Sequence, residues 1–480
     1  MSSSTSARVL LISANRERQP YPVVPNGLAC VASALDAAGH DVRFVDLCFA
    51  RNAIVTAKRA IHEHDPEIVG VSIRNIDNSD AIALRHYTPE AKELFAAIRS
   101  TAPSAKVIAG GAAFGVAPEA LFQSFGVDYA VAGDGERASV ALVDAIAQQK
   151  KIDAVPGLVR LVDDRVHFSP PGEDARLDDL PNPALHRWID LRRYERNGAT
   201  IPIQTKRGCV YKCVYCTYRN VEGWGYRTRD PERVADEIEE LHRTARVKSF
   251  DFVDSTFNSP PGHAIEVCEA IIRRKLKVHL DTTNFTPATA SDELLSVMRR
   301  AGFRTLGITA ESASDPVLQK LEKGFTAAKA REVAERVEKH GIRALWIFLV
   351  GGPGETKDTL EETLAFAEWR LNRGDAVYLT VGLRIYPGTT LQRIAIGEGV
   401  ISNEDSLLDP SFYFSPSLSF DAAVTRIKSF ARRHPRFMFS ADSRSTILPW
   451  LTRAASLMRL PKPHWQYMGI FQSLTRATSW

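Results

Sequence analysis

The sequence predicts an α/β protein made of two successive alternations of strands and helices, followed by a helical carboxyl-terminal region. Residues 1–150 alternate short apolar runs with helical patterns, which is typical of a parallel sheet covered by helices. Residues 151–195 are rich in Pro and Asp and predict a connector. A second alternation over residues 196–400 supplies six strand–helix units, which predict a partial barrel of the TIM type, a (β/α)6 arrangement. Residues 401–480 predict a small helical domain.

The first domain is predicted to contain five strands with helices between them. Ligands of such sheets bind outside the carboxyl ends of the strands. We therefore expect the ligand site in the loops 15–26, 74–80, 110–115 and 133–136. The predicted strands are 7–14, 41–47, 67–73, 106–111 and 128–133, and the predicted helices lie near 27–38, 55–64, 89–100, 118–125 and 136–149.

The second domain is predicted to contain six strands, each followed by a helical stretch. In barrels, the loops after the carboxyl ends of the strands carry the chemistry. The first of these loops holds three of the six cysteines of the chain. The predicted strands are 201–205, 249–253, 277–282, 304–309, 344–350 and 377–384.

Cys209, Cys213 and Cys216 have the spacing CxxxCxxC within the run RGCVYKCVYCTYR. Iron–sulfur cubanes usually take four thiolates, so three thiolates predict a cluster with one iron left open for a substrate or cofactor. A zinc site is the alternative, but zinc needs a fourth Cys or His, and the sequence offers no such partner nearby. An accidental grouping is the third interpretation.

The cysteine motif, with Tyr215 just before its last cysteine, resembles the signature of the radical S-adenosylmethionine (SAM) enzymes. The later runs YRTRDPERVADEIEEL, FVDSTFN, GITAESASDPVLQKLEKG, GGPGET and RIYPGTTL resemble successive motifs of that family. The resemblance implies a [4Fe–4S] cluster on the three cysteines, with SAM chelated to the open iron and cleaved to a 5′-deoxyadenosyl radical.

The same resemblance implies SAM contacts at four positions. Tyr215 is expected beside the adenine, and Glu311 is expected to hydrogen-bond a ribose hydroxyl or the SAM amino group. Gly351 and Gly352 are expected to allow close approach of the backbone to the ligand. The alternatives are a solvated acid at the start of a helix for Glu311 and a simple tight turn for the glycines.

The first domain resembles the cobalamin-binding domains that precede one large branch of the radical SAM enzymes. The resemblance rests on GLACVASALDAAGHDVRFVDL, on the glycine pair after the fourth strand and on AGDGE after the fifth. It implies a Rossmann-like, flavodoxin-like fold. A flavin or nucleotide domain, or a structural cap, is the alternative. The predicted cobalamin contacts are Ser72, Arg74, Asn75, Gly110, Gly111, Gly133 and Glu136.

One departure from other cobalamin domains concerns the cobalt ligand. Residues 1–150 contain no DxHxxG motif, so no histidine ligand is predicted. Arg74 has no lone pair to give to a metal, and beneath cobalt it would occupy space without coordinating. Our hypothesis is that it disfavours a lower ligand and so favours the Co(I) state. The alternative is a surface arginine paired with Asp77 or Asp80.

The two cofactors together imply a cobalamin-dependent radical SAM methyltransferase, similar to class B, which moves a methyl group from SAM through methylcobalamin to an unactivated carbon of a biosynthetic substrate. The alternative is a cobalamin-dependent cyclase or oxidoreductase without methyl transfer. A tRNA methylthiotransferase would need three cysteines in the first domain, which Cys30 and Cys48 do not supply. A cofactor-binding sensor would turn over no SAM. Arg74 and Tyr386 are the candidate catalytic residues; the other side chains expected near the substrate are Tyr211, Tyr218, Trp224, Tyr226 and Arg384.

Composition narrows the choice of partners. The net charge is +4, from 61 Lys and Arg against 57 Asp and Glu, and this mild excess does not predict a nucleic-acid partner. No stretch approaches the roughly 20 apolar residues that span a bilayer, and the first residues do not resemble a secretory signal. We expect a cytoplasmic protein with a small-molecule or peptide substrate and an external electron donor of the flavodoxin or ferredoxin type.

Overall fold

The computed structural model describes residues 6–152, 155–172, 176–439, 454–456, 458, 460 and 462–467. Within these ranges the chain forms two halves, each organised around a mainly parallel sheet. None of the helices in the described ranges combines the length and the apolar character that a membrane span requires.

The first half is built on a seven-stranded sheet. Its strands are β1 (Arg8–Ser13), β2 (Asp41–Asp46), β3 (Ile68–Ser72), β4 (Lys106–Gly110), β5 (Tyr129–Val131), β6 (Leu158–Val162) and β7 (Arg165–Phe168). The order across the sheet is β2-β1-β3-β4-β5-β6-β7, and the first five strands are parallel. This is the flavodoxin-like order 2-1-3-4-5, which places a ligand crevice where the chain order reverses between β1 and β3. All five predicted strands are confirmed.

Six helices cover this sheet: α1 (Asn26–Ala37), α2 (Ala53–His64), α3 (Thr88–Thr101), α4 (Ala112–Val116), α5 (Pro118–Phe125) and α6 (Gly135–Ala147). Strands β1 and β3 are almost completely buried, which explains their continuous apolar runs RVLLIS and IVGVS. Helix α4 was not predicted, because five residues are too few to show a helical period. It packs against Val221 of the second half.

The predicted connector contains more structure than its composition indicates. Strands β6 and β7 form a hairpin that pairs antiparallel with β5 and extends the first sheet to Phe168. The two residues of its turn, Asp163 and Asp164, have φ values of 48° and 61°. Positive φ at both central residues is the mark of a type I′ hairpin turn. The Asp pair between two apolar runs was therefore a hairpin signal rather than a linker signal.

The second half supplies the remaining strands: β8 (Ile201–Ile203), β9 (Lys206–Arg207), β10 (Arg227–Thr228), β11 (Ser249–Phe252), β12 (His279–Asp281), β13 (Thr305–Glu311), β14 (Arg343–Val350), β15 (Ala376–Val381), β16 (Leu383–Arg384), β17 (Phe412–Tyr413) and β18 (Phe437–Phe439). Six of them, β8 and β11 to β15, are the predicted barrel strands. They form two parallel groups, β8-β11-β12 and β13-β14-β15, joined by the parallel bridges Leu280 to Phe303 and Phe285 to Ile308. The predicted partial barrel is confirmed.

The helices of the second half and of the preceding segment are α7 (Leu185–Trp188), α8 (Leu191–Arg196), α9 (Tyr218–Glu222), α10 (Pro231–Thr244), α11 (Pro261–Arg273), α12 (Asp292–Ala301), α13 (Asp315–Lys320), α14 (Ala327–Lys339), α15 (Lys357–Leu371), α16 (Thr390–Gly397) and α17 (Phe420–Arg433). Several of these helices begin at N-cap residues that can be recognised in the sequence. At α10, the Asp230 side chain accepts hydrogen bonds from the backbone N–H groups of Glu232 and Arg233, and Pro231 occupies the first helical position.

The carboxyl-terminal region is only partly helical where the structure describes it. After helix α17 the chain forms β18, which pairs in parallel with β15 and adds a seventh strand to the barrel sheet. Only three residues form this strand, and so short an apolar run was not distinguishable from a helix end. The predicted helical pattern of residues 440–453 and 468–480 lies outside the described residues.

Candidate active site

The three cysteines of the CxxxCxxC motif lie on the loop between β9 and α9. Cys209 is buried, and Cys213 and Cys216 are partly exposed. The loop is held at its centre, where the backbone N–H of Val214 donates to the carbonyl of Leu321 (3.2 Å). The described residues include no three His, Cys, Asp or Glu side chains gathered as ligands of one metal ion. In a cubane, each of the three thiolates of this loop would bind a different iron.

A largely buried polar triad lies beside this loop. The Tyr215 hydroxyl donates to Glu311 Oε1 (2.9 Å), and Lys323 Nζ lies 2.7 Å from Glu311 Oε2 and 3.3 Å from the Tyr215 hydroxyl. Burial raises the pKa of Cys216 to about 12, and the Lys323 ammonium partly opposes this effect. Lys323 thus faces both a predicted SAM contact and the predicted cluster ligands.

Sequence reasoning singled out Tyr215 and Glu311 but missed Lys323. Burial disfavours its charge, yet the pKa of Lys323 is raised, because Glu311 and Cys213 lie nearby. Its position just before Gly324, at the end of the run GITAESASDPVLQKLEKG, was the only signal. The structure therefore adds a cation to the predicted SAM site. The alternative for Glu311, a solvated acid, does not apply, since this side chain is buried.

The two predicted glycines follow β14. Gly351 has φ of 94°, and a Cβ atom there would collide with the ring of Phe414. A Cβ on Gly352 would lie 3.2 Å from the side chain of Leu321. Gly351 is therefore required by its own chain conformation and packing. A SAM contact at these two positions stays a prediction.

A cavity of about 610 Å³ lies between the carboxyl edge of the first sheet and the mouth of the barrel. This volume is within the range of ligand pockets, roughly 300 to 1,000 Å³. On the barrel side its wall includes Gln204, Tyr218 and Thr283. On the sheet side the wall includes all seven predicted cobalamin contacts: Ser72, Arg74, Asn75, Gly110, Gly111, Gly133 and Glu136.

At the end of β4, the backbone of the cavity wall carries no side chain and is open to close approach by a ligand. Gly111 has φ of 96°, and a Cβ atom there would lie 2.5 Å from the carbonyl oxygen of Ile73 and 2.8 Å from Ser72 Oγ. Only glycine fits this position without strain. The concave, glycine-lined edge is compatible with a large planar ligand such as a corrin.

Glu136 is engaged by the protein itself. Arg207 Nη2 donates to Glu136 Oε1 (2.5 Å) and Nη1 donates to Oε2 (3.0 Å), while Arg207 also lies 3.2 Å from Asp134. Arg227 pairs with the second oxygen of Asp134 at 2.5 Å. Burial by itself would raise the pKa of Asp134. Arg207 and Arg227 lower the pKa by more than burial raises it, so it lies below its usual value. Because Arg207 precedes Cys209 by two residues, this network ties the first sheet to the cysteine loop.

Arg74 does not form the ion pair of its alternative interpretation. The side chain is exposed on the cavity wall, and none of the described ion pairs includes it. Asp77 instead pairs with Arg384 Nε (2.8 Å), and both groups are buried. Asp80 accepts hydrogen bonds from the backbone of Ile82 and its neighbour. The carboxylates near Arg74 are therefore already occupied.

Four of the other candidate side chains divide into two groups. Tyr386 and Tyr218 line the cavity, and the Tyr386 hydroxyl is hydrogen-bonded to Ser79 Oγ at 2.7 Å. Arg384 is buried and joins the two halves instead of facing substrate. Trp224 is exposed on the outside, with the Arg219 guanidinium stacked on its ring.

Sequence reasoning also missed Asp251 in β11 and Asp281 in β12. These two residues are register partners in adjacent parallel strands, and Asp251 lines the cavity. Burial and the neighbouring acid hold the pKa of Asp251 well above its usual range. The run FDF in the sequence could have indicated this position of Asp251. Side chains alternate along a strand, so an aspartate between two phenylalanines of the core faces the other side of the strand, the inside of the barrel.

Family models match both halves of the chain. The model of the B12 binding domain matches residues 13–143, and the model of the radical SAM superfamily matches residues 203–367. The chain is therefore a radical SAM protein with an amino-terminal B12-binding domain. This confirms the predicted fold class and, at the level of the domains, the predicted cofactors: an iron–sulfur cluster, SAM and cobalamin.

Individual relatives extend the similarity over most of the chain. An uncharacterized methyltransferase of Pyrococcus horikoshii is 27% identical over 380 residues, 78% of this chain and 79% of the relative. Tryptophan 2-C-methyltransferase of Streptomyces laurentii is 26% identical over 79% of this chain and 73% of its own. The structure of the radical SAM methyltransferase TsrM from Kitasatospora setae, with tryptophan and a SAM analogue bound, superposes with a TM-score of 0.85 at 24% identity, covering 98% of this chain and 99% of that one.

Proposed function

We propose that the protein is a cobalamin-dependent radical SAM methyltransferase that transfers a methyl group from SAM to an unactivated carbon of a small biosynthetic substrate. The observation that supports this most strongly is the cavity, because its walls come from both cofactor domains. A ligand in this cavity would touch the glycine-lined sheet edge and the barrel mouth at once. The methyltransferase names of the relatives agree with this proposal.

The cofactor sites are assigned as follows. Cys209, Cys213 and Cys216 would hold the cluster, and Glu311 and Lys323 would bind the polar groups of SAM, since they present a carboxylate and an ammonium beside the cysteine loop. Cobalamin would lie against the ends of β3, β4 and β5. Bound there, the three groups would supply a methyl donor and a radical initiator.

The role proposed for Glu136 differs from the one expected. Because Arg207 occupies both carboxylate oxygens, Glu136 positions the cysteine loop against the cobalamin domain and does not present a free acid to the cavity. Arg74, in contrast, remains available to face the cobalamin ring. An external electron donor of the flavodoxin or ferredoxin type and a cytoplasmic location complete the proposal; the location agrees with the three cluster cysteines, because thiols are kept reduced in the cytosol.

The test uses SAM that carries a deuterated methyl group. The full chain is reconstituted without oxygen with iron, sulfide and cobalamin. It is then incubated with the labelled SAM, a one-electron reductant such as dithionite, and a small-molecule extract of cells that make the protein. A methyltransferase is expected to produce a compound that carries the labelled methyl group. Mass spectrometry detects it, and the variant Cys213→Ala, which removes one cluster ligand, is the control.

The alternative reaction gives a different pattern. A cyclase or oxidoreductase would consume SAM and change a compound of the extract without placing deuterium in it. That result would reject methyl transfer and keep the cofactor assignment. Retention of label-transfer activity by Cys213→Ala would contradict the cluster assignment itself.

A further inference from the structure

Two carboxyl groups face the inside of the barrel beside the cavity. Asp251 and Asp281 lie opposite each other in the parallel register of β11 and β12. The neighbours of Asp251 along its strand, Phe250 and Phe252, pack in the hydrophobic core. Because successive side chains of a strand point to opposite faces, Asp251 points to the other side, where it forms part of the cavity wall together with Tyr21.

This pair lacks a counter-ion in the part of the chain that the structure describes. Among the described residues, no Lys, Arg or His is an electrostatic neighbour of either carboxyl. The charged groups that face Asp251 are Asp281 and Asp254, and Asp254 is itself paired with Lys206 Nζ at 3.0 Å. Asp281 accepts a hydrogen bond from the backbone N–H of Thr282 (2.9 Å). Asp251 is only 9% exposed, and its Oδ1 atom is buried without any hydrogen-bond partner.

The buried acid pair therefore lacks two features that buried carboxyl groups normally have, a counter-ion and a full set of hydrogen bonds. Buried charges are normally paired, and buried polar atoms are normally hydrogen-bonded. Burial raises the pKa of both carboxyls, to about 7 for Asp281, and the neighbouring Asp281 raises that of Asp251 further. The pair therefore retains at least one proton near neutral pH, and the negative charge that it carries has no counter-ion among the described residues. A cationic nitrogen entering from the cavity would neutralise this charge and donate the hydrogen bond that Asp251 lacks.

We propose that Asp251 and Asp281 form a subsite that binds a positively charged nitrogen of the methyl acceptor, either an ammonium group or a protonated ring nitrogen. The proposal rests on the proposed function in one respect, because it attributes this nitrogen to the substrate. It predicts a substrate class, basic amines and basic nitrogen heterocycles. The neighbouring wall residues Thr283 and Asn284 add neutral hydrogen-bonding groups to the same side of the cavity.

The test compares two aromatic probes of matched shape by calorimetry at pH 7, using the full chain loaded with its cluster and hydroxocobalamin. Benzylamine carries an ammonium group, and benzyl alcohol is neutral. The wild-type protein is expected to bind benzylamine about tenfold more tightly, the effect of one charge-assisted hydrogen bond. Asp251→Asn should lose this preference and keep its affinity for benzyl alcohol. Asp358→Asn, the same change on an exposed part of α15, should keep the preference.

Infrared spectroscopy supplies a second measurement that needs no variant. The protonated-carboxyl stretch of the wild-type protein should weaken when benzylamine is added, and it should be reduced in Asp281→Asn. If Asp251→Asn does not retain cobalamin, the wild-type preference and the infrared change decide the question.

Several outcomes would overturn the proposal. Equal affinities of the wild-type protein for the two probes, no binding of either, or an undiminished preference in Asp251→Asn would each do so. Displacement of benzylamine by SAM would assign the subsite to SAM. None of these measurements requires turnover, so a failure of label transfer with an intact benzylamine preference would reject the proposed function and leave the subsite standing.

Discussion

Arg74 occupies the carboxyl end of β3, where the flavodoxin-like sheet opens to the cavity. Its two nearest acidic neighbours in sequence are engaged elsewhere, Asp77 with Arg384 and Asp80 with backbone N–H groups. A guanidinium cannot coordinate a metal. Arg74 therefore does not form the surface ion pair with Asp77 or Asp80 that was its alternative interpretation. The hypothesis that it lies beneath cobalt without coordinating the metal stays a prediction.

Replacing Arg74 by Ala is expected to change the spectrum of bound cobalamin, because the smaller side chain would let water approach the lower face of cobalt. Electron paramagnetic resonance of the Co(II) form measures this axial ligand directly. Arg43→Ala, an exposed arginine on β2, is the matched control. An unchanged spectrum together with an unchanged methylation rate would dismiss the hypothesis.

The buried acid pair leads to a prediction about pH and stability. Burial raises the pKa of Asp281 to about 7, whereas an unfolded aspartate titrates near 4. The folded state therefore binds more protons between about pH 4 and 7, and the free energy of unfolding contributed by this group decreases as pH rises through that range. Asp281→Asn should make the decrease measured by urea unfolding at several pH values shallower, because only Asp251, whose pKa is also raised, then contributes to it. Asp358→Asn should keep the wild-type slope, and a slope in Asp281→Asn equal to that of the wild type would contradict the assignment.

At the scale of elements, the turn between β4 and α4 combines a conformational and a functional requirement. Gly111 closes this turn with positive φ, and a Cβ atom at this position would collide with Ile73 and Ser72. The same turn lines the cavity. An added side chain would therefore strain the turn and move the wall on which cobalamin is expected to lie.

Gly111→Ala should lower the free energy of unfolding by about 1–3 kcal/mol, the typical cost of a strained backbone position, and should weaken cobalamin binding. Urea unfolding and equilibrium dialysis with hydroxocobalamin measure the two effects. Gly262→Ala in α11, where a Cβ atom meets nothing within 4 Å, should instead stabilise by roughly 0.5–1 kcal/mol. Unaltered cobalamin affinity in Gly111→Ala would remove this turn from the site.

At the scale of the whole molecule, two ion-pair groups join the halves. Arg207 connects the cysteine loop to Asp134 and Glu136 on one side of the cavity. Elsewhere between the halves, Arg384 pairs with Asp77 and donates to the carbonyl of Leu407 at 2.7 Å. Both contacts fix the relative position of the two domains, and this position determines the shape of the cavity because its wall comes from both of them.

Arg384→Met should destabilise the protein by about 3 kcal/mol or more, because it leaves the buried Asp77 carboxylate without its partner. It should also speed the release of cobalamin, followed by its absorbance after dilution. Arg426→Met removes an exposed pair with Glu361 and should cost less than about 1 kcal/mol. Equal effects of the two substitutions would show that the buried pair does not hold the halves together.

Part of the site was accessible from the sequence because it depends on local spacing. Three thiols within eight residues must share one loop, and an apolar run that ends in Gly-Gly must expose its turn at a sheet edge. Residues such as Asp251 and Lys323 escaped notice, since their importance comes from neighbours on other strands and loops. Short elements such as α4 and β18 are formed by packing and carry almost no periodic signal.

By itself, the sequence determined the order of the two domains, their strands and the loop that carries the cysteines, because these features follow from periodicity and from residues close in the chain. Tertiary structure alone decided which charges meet. Asp77 and Arg384 are 307 positions apart, and Glu136 meets Arg207 across 71 positions. Such pairs are selected by how the two sheets dock, and docking depends on the shapes of whole surfaces, which no local pattern encodes.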